Sequence, residues 1–209
     1  PWLAMEFLDA GSLADRLREG PLAWPQAVAA GVQVAGALDA AHGAGTLHRD
    51  LKPENLLVGP YGETKLGDFG IAAVEGSTRT TAGHASFTVA HVTPEMLRGQ
   101  RPDERSDIYG LGSTLHTLMT GSPPFAGEAD EPFAMVMARV LQDPAPRVVD
   151  APDDLADLLE CTLAKDPDER PQSAAELGRA LQRVQSDNGA PVTDLRLAPG
   201  SVAVACWRQ

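Results

Sequence analysis

At 209 residues and a formal net charge of −12, the chain is long enough to bury a sizeable core, and no basic stripe offers a nucleic-acid footprint. Its two cysteines, Cys161 and Cys206, have neither metal-binding nor redox spacing and read as those of a reduced cytoplasmic protein. No apolar run approaches the ~20 residues that span a bilayer, and no signal peptide is visible. The acidity suits a cationic peptide substrate, although an acidic solvated surface is the commoner explanation. The first residue is Pro1 and the chain opens in mid-pattern, so a piece of a longer protein is expected, with room for a membrane anchor elsewhere in the parent.

Trp2-Leu3-Ala4-Met5-Glu6-Phe7 alternates weakly and reads as a short strand. Ser12 is a good helix N-cap, with Asp15 three residues on completing a capping box. A long helix follows over 25–44: Pro25 suits its first turn, Val28, Val32, Ala35, Leu38 and Ala41 form one buried stripe, and Gly43 and Gly45 stop it. The helix delivers the chain to His48-Arg49-Asp50-Leu51-Lys52-Pro53-Glu54-Asn55. Leu56-Leu57-Val58 is then a short apolar run, Gly59-Pro60-Tyr61-Gly62 is turn chemistry, and Thr64-Lys65-Leu66 returns as a second strand. Paired strands lie roughly 5 Å apart, so this hairpin brings Asn55 and Asp68 side by side. An amide oxygen and a carboxylate in that relation are hard donors suited to Mg²⁺.

Residues 71–92 are rich in Ser, Thr, Gly and Ala and read as a mobile loop, with Thr78, Thr80 and Thr81 as candidate phosphorylation sites or plain loop hydroxyls. Ser106 is expected to cap a buried helix with Ile108, Leu111, Leu115 and Leu118 on its stripe, ended by Gly121 and barred by Pro123-Pro124. A helix over 131–142 should bury Phe133, Val136, Met137 and Val140. Another follows from Asp153 to Leu163 with Leu155, Leu158, Leu159 and Leu163 inward. Ser173 and Glu176 form a capping box for a last helix burying Leu177, Leu181 and Val184. Beyond about Ser186 the periodicity lapses and a linker or tail is expected.

The ordered set His48-Arg49-Asp50 to Asn55, Asp68-Phe69-Gly70 and Thr93-Pro94-Glu95 resembles the active-site segment of eukaryotic-type serine/threonine protein kinases, in a bacterial-like version. The resemblance implies an α+β, mainly helical fold: a kinase large lobe with a short catalytic β-hairpin, and a small lobe represented only by its last strand and hinge. Residues 1–185 would be this partial kinase domain and 186–209 a linker or tail. Asp50 would orient the acceptor hydroxyl and take its proton, and Lys52 would reach the transferred phosphate. Asn55 and Asp68 would hold Mg²⁺. Met5 would be the gatekeeper, with the Glu6 carbonyl, the Leu8 amide and Leu57 meeting the nucleotide. Arg49 would meet a phosphate on the loop, Asp107 would bond the backbone of the catalytic loop, and Arg170 would pair with Glu95. ATP and Mg²⁺ are the implied cofactors, and protein Ser/Thr hydroxyls the implied partners, with no nucleic acid.

Three departures stand out. Phe87 replaces a usual glycine, His91 a usual tyrosine and Thr93 a usual alanine, while Thr88 keeps the threonine expected to touch Asp50 and Lys52. They put in question the pocket that selects the residue after the phosphoacceptor. No Gly-rich phosphate loop and no Val-Ala-Ile-Lys strand precede the hinge, so these residues alone are expected to bind nucleotide poorly and transfer phosphate barely or not at all. The alternative reading is a non-catalytic regulatory or docking module.

Overall fold

The computed structural model of the chain describes residues 6, 8–69, 91–127 and 131–199. In order, the described elements are α1 (Leu13–Leu17), α2 (Trp24–Gly43), β1 (Leu56–Val58), β2 (Thr64–Leu66), α3 (Pro94–Leu97), α4 (Glu104–Thr120), α5 (Phe133–Gln142), α6 (Asp153–Thr162) and α7 (Ala174–Asp187), with 3₁₀ turns at Pro53–Asn55 and Pro167–Glu169. β1 and β2 pair antiparallel as the hairpin expected, Leu56 opposite Leu66 and Val58 opposite Thr64. The strand expected over 2–7 falls almost wholly outside the described residues, as do Met5, Thr78, Thr80, Thr81, Phe87 and Thr88.

α4 is the pillar of the fold. Every residue from Ser106 to Leu118 is buried, so the helix is covered on all sides and not on one stripe. Its hydroxyls make that tolerable by bonding back along the helix: Thr114 Oγ1 donates to the Gly110 carbonyl at 2.7 Å and Thr117 Oγ1 to the Ser113 carbonyl at 2.8 Å. α2 lies against α4 and α7, and its Val28, Val32, Ala35 and Leu38 are fully buried with Leu111, Leu115, Leu177 and Leu181. A smaller cluster of Tyr109, Phe125, Val140 and Leu163 fills the space on another side of α4.

Three expectations change on contact with the structure. Asp103, not Ser106, is the N-cap of α4. Ser106 sits three residues in and returns a bond to the Asp103 amide, so it closes the capping box from the other side. Phe133 is 53 % exposed and only Val136 and Val140 of α5 are buried. Helical side chains lean toward the N-terminus, so the first residue of a helix points off its end with no preceding turn to cover. Ser173 caps α7, but Glu176 Oε2 accepts from the Gln172 amide, one residue before the cap, in place of a reciprocal box.

Within the expected linker or tail, residues 190–199 lie along α2 and α7 as a strap. The Gln185 amide brackets Thr193, donating to its hydroxyl at 2.9 Å and accepting from its backbone N–H at 2.9 Å. Gln182 Nε2 donates to the Thr193 carbonyl, and the Ala198 amide donates to Asp39 Oδ2 at 3.0 Å. Two glycines make the seat. A Cβ on Gly36 would stand 2.5 Å from the Arg196 carbonyl oxygen, and one on Gly178 2.7 Å from Leu195 Cδ1. The Arg196 oxygen is backbone and cannot swing aside, so Gly36→Ala should lift the strap. The expected cost is about 1–3 kcal/mol, read as a lower melting temperature together with faster proteolytic cleavage within 190–199. An unchanged melting temperature and cleavage rate would contradict this seat.

Candidate active site

α2 ends at Gly43, and Gly45, at φ 73°, turns the chain into the segment 48–55. His48 is fully buried. Its Nδ1 accepts from the Asp50 amide at 3.3 Å and its Nε2 meets the Gly67 carbonyl at 2.9 Å, so the ring ties the segment to the far end of the hairpin. The Phe69 ring packs on it with centroids 4.9 Å apart. Both ring nitrogens of His48 are therefore engaged within the protein.

Asp107, near the start of α4 and 1 % exposed, holds the segment from below. Its Oδ2 accepts from the His48 amide at 2.8 Å and its Oδ1 from the Arg49 amide at 2.7 Å. His42 Nε2 also reaches Oδ2, at 2.8 Å. Sequence reasoning placed Asp107 and missed His42. The available signal was stoichiometric: a buried carboxylate offers about four acceptor sites, the two amides leave some over, and a histidine in the last turn of α2 is within reach. Arg49 adopts φ 67° and Asp68 φ 49°, left-handed values that non-glycine residues reach only under constraint.

The segment converges on Asp50. Lys52 Nζ pairs with Asp50 Oδ2 at 2.8 Å. Asn55 Nδ2 donates both to the Asp50 carbonyl at 2.7 Å and to Asp50 Oδ2 at 3.1 Å. With its nitrogen facing two acceptors, the Asn55 amide has its Oδ1 turned away from Asp50, with no protein donor among the described residues. The Gly67 amide donates to the Asn55 carbonyl at 2.9 Å, which places exposed Asp68 one residue beyond the open end of the hairpin. Asp50, Lys52 and Asn55 are thus joined by side-chain bonds. Asp68 is brought alongside through the backbone, and no bond links its carboxylate to the other three among the described residues.

The remaining expected site residues are Leu57, Leu8 and Glu6. Leu57 is half-buried on β1, and a Cβ on Gly67 would stand 2.9 Å from its Cδ1. The Val58 amide donates to the Gly11 carbonyl, tying β1 to the segment that carries Leu8. Exposed Glu6 receives both of its carboxylate bonds from Lys65 of β2, at 2.9 Å each. Larger grooves of about 440 and 590 Å³ run behind the hairpin against α2, away from Asp50. A cavity of about 150 Å³ does adjoin Asp50, walled by Leu51, His91, Val92, Met96 and Gly110. His91 Nδ1 is 2.7 Å from Ser113 Oγ, and burial, then the Lys52 ammonium, push His91 down to about 4.

One ion pair stabilises the floor. Arg170 Nη1 and Nη2 each donate to Glu95, both at 2.9 Å, and Ser106 Oγ adds a third bond at 2.6 Å. The guanidinium also donates to the carbonyls of Ala164 and Arg105 and lies 4.8 Å over the Tyr109 ring. Burial alone would raise the Glu95 carboxyl, but the bonds from Arg170 and Ser106 hold it down at about 2.

Residues 1–181 match the family model described as "Protein kinase domain". The chain belongs to the protein kinase family. Among curated relatives, the serine/threonine-protein kinase PknK of Mycobacterium tuberculosis (strain ATCC 25618 / H37Rv) is 39% identical over 200 residues, covering 94% of this chain and 18% of that protein. PknB of Mycolicibacterium smegmatis is 37% identical over 191 residues, covering 88% of this chain and 30% of that protein. PknL of the same M. tuberculosis strain is 36% identical over 195 residues, covering 91% and 49%. The chain thus spans about a fifth to a half of the length of the relatives it matches. Protein kinases in general use ATP with Mg²⁺. In this kinase domain the donors fit that ion: Mg²⁺ is commonly held by one or two protein oxygens together with substrate phosphates, and Asn55 Oδ1 and the Asp68 carboxylate are such a pair. Among the described residues no three His, Cys, Asp or Glu side chains form a separate metal cluster.

Proposed function

We propose that the chain supplies the hinge and large lobe, over residues 1–185, of a serine/threonine protein kinase that moves the γ-phosphoryl group of ATP to protein hydroxyls, with 186–209 as its tail. The observation that carries this reading is the convergence of Lys52 and Asn55 on the Asp50 carboxylate, at 2.8 and 3.1 Å. Asp50 is held in one orientation by those two contacts, which is what a group that must align a substrate hydroxyl requires. As the hydroxyl oxygen forms its bond to the γ-phosphorus, the bond from that phosphorus to the bridging oxygen of ADP breaks. The hydroxyl proton passes to Asp50. Lys52, beside Asp50, neutralises charge on the phosphoryl oxygens as a point cation. Asn55 Oδ1 and Asp68 would hold the Mg²⁺, whose chemistry is to screen the triphosphate and align its leaving end. Glu6, Leu8 and Leu57 would meet the base of the nucleotide, as the family resemblance implies. No described helix is long and apolar enough to cross a membrane. We assign the activity to the cytoplasm, where ATP is supplied.

The test is label transfer. The full-length protein, given Mg²⁺ and γ-labelled ATP, should label a generic basic protein on Ser or Thr, and a chelator should stop it. Label on tyrosine alone would overturn the serine/threonine assignment. Partner binding with no label at all would favour the non-catalytic docking module.

A further inference from the structure

We propose that Val202-Ala203-Val204 of this chain, outside the described residues, docks in the groove of about 590 Å³ between α2, the β1–β2 hairpin and the strap. The inference goes beyond the kinase reading and does not depend on it.

The groove has a floor and two walls. The floor is the face of α2 that carries Gly36, Ala37 and Ala40, with Gly36 buried, Ala37 half-buried and Ala40 exposed. A floor without long side chains lets a second backbone come close, as the Arg196 carbonyl already does over Gly36. One wall is the hairpin, where Tyr61 is 95 % exposed, and the other is the strap at Asp194 and Arg196. The charges on both walls are already paired. Arg196 meets Asp194 at 3.2 Å, and Lys65 meets Glu6 at 2.9 Å and Glu63 at 3.8 Å. The groove therefore suits a neutral, apolar occupant.

The strap is an edge without a neighbour. Thr193, Leu195 and Leu197 are half-buried while Val192, Asp194 and Arg196 are exposed, which is the alternation of a strand covered on one face. Among the described residues, the backbone amides and carbonyls of Leu195, Arg196 and Leu197 have no hydrogen-bond partner. Such a row of open groups is a template for another extended segment.

The chain is set to return to this edge. Arg196 lies over Gly36 and the Ala198 amide bonds Asp39, so the strap runs toward the C-terminal end of α2. Pro199 lies in a turn, and Pro199-Gly200 is the central pair that a reversing type II turn favours. Chain leaving that turn travels back along α2 and meets the groove at Ala40. From Ala40 to Gln33, its far end, the groove follows α2 for about 10 Å, the length of about three extended residues. Val202-Ala203-Val204, the first apolar run after the turn, has that length. Its two valines share a face, which would cover Ala40 and then Ala37.

Disulfide trapping in the full-length protein, with its native cysteines replaced by serine, tests the seat. Ala40→Cys with Val202→Cys, and Ala37→Cys with Val204→Cys, should each give a bridge within one chain under mild oxidation. Ala203→Cys, on the opposite face, should bridge with either partner about tenfold more slowly, because disulfide geometry is strict. In a chain with its native cysteines, Val202→Asp together with Val204→Asp should speed hydrogen exchange at Tyr61 and its neighbours in the hairpin turn. The expected factor is about tenfold, which is what burying one valine stabilises. Equal bridging at 202, 203 and 204 would mean a segment with no fixed seat and would overturn the proposal, as would unchanged exchange in the double aspartate variant. Bridges formed between two chains would give the groove to a second copy and overturn docking within one chain. None of these readouts involves phosphate transfer, so each outcome leaves the kinase reading to its own test.

Discussion

Asp50→Asn is expected to lower phosphoryl transfer by about a thousandfold or more while leaving the fold intact. The substitution is isosteric. A rotated amide presents its oxygen to Asn55 Nδ2, so the contact at 3.1 Å survives. What is lost is the oxygen that accepts the hydroxyl proton and the charge that pairs with Lys52 at 2.8 Å. Lys52 is partly exposed, and water can replace its partner, so the stability change should stay within about 1 kcal/mol. Label transfer under single turnover reads the first effect and the melting temperature the second. Because Asp50 would orient the acceptor and not the nucleotide, KM for ATP should move far less than kcat. Undiminished transfer by this variant would remove Asp50 from the chemistry.

The largest effect on stability is expected at Arg170. Replacing it by Met leaves the Glu95 carboxylate, 4 % exposed, with only Ser106 for a partner and strips donors from the Ala164 and Arg105 carbonyls. Breaking one side of a buried pair costs about 3–5 kcal/mol. For a chain of this size that corresponds to about 10 °C in melting temperature. Changing Glu95→Leu in the same protein should cost less than the sum of the two single changes, since it removes the stranded charge.

The pair also sets an acid limit. Glu95 is held at about 2 in the folded chain, against 4.5 for a free glutamate. A depressed carboxyl contributes stability that is full above the unfolded value and is lost as pH falls through the folded one. The window is therefore pH 4.5 down to about 2, and the contribution about 3 kcal/mol. Urea midpoints for wild type and Arg170→Met should converge across that window. Parallel curves would mean that Glu95 is not the group responsible.

Much of this was legible in the sequence because the relevant signals are local. The period of α2 and α7, the turn at 59–62 and the caps at Ser12 and Ser173 are set by near neighbours, and all appear. The Asp50, Lys52 and Asn55 cluster was legible because five residues and one 3₁₀ turn place it. The Glu95 and Arg170 pair was legible only through family resemblance, since 75 positions separate the two. What failed depended on surroundings. Phe133 looked like core because it is apolar, and at the end of its helix it is 53 % exposed. The packing of residues 190–199 was not read at all, since Val192, Leu195 and Leu197 make too short a pattern to mark it. Their seat is made of two glycines on different helices, which leave no periodic trace. His42 was missed, although its imidazole serves a carboxylate 65 residues away.

That last kind of bond has a consequence for how the molecule comes to work. The backbone at His48 and Arg49 is fixed by a carboxylate 59 and 58 residues further along, so no stretch of chain near Asp50 can shape itself alone. Closing so wide a loop is entropically costly and is repaid only once α4 has docked against α2. The geometry around Asp50 is therefore expected to form only after the start of α4 has been made and has docked.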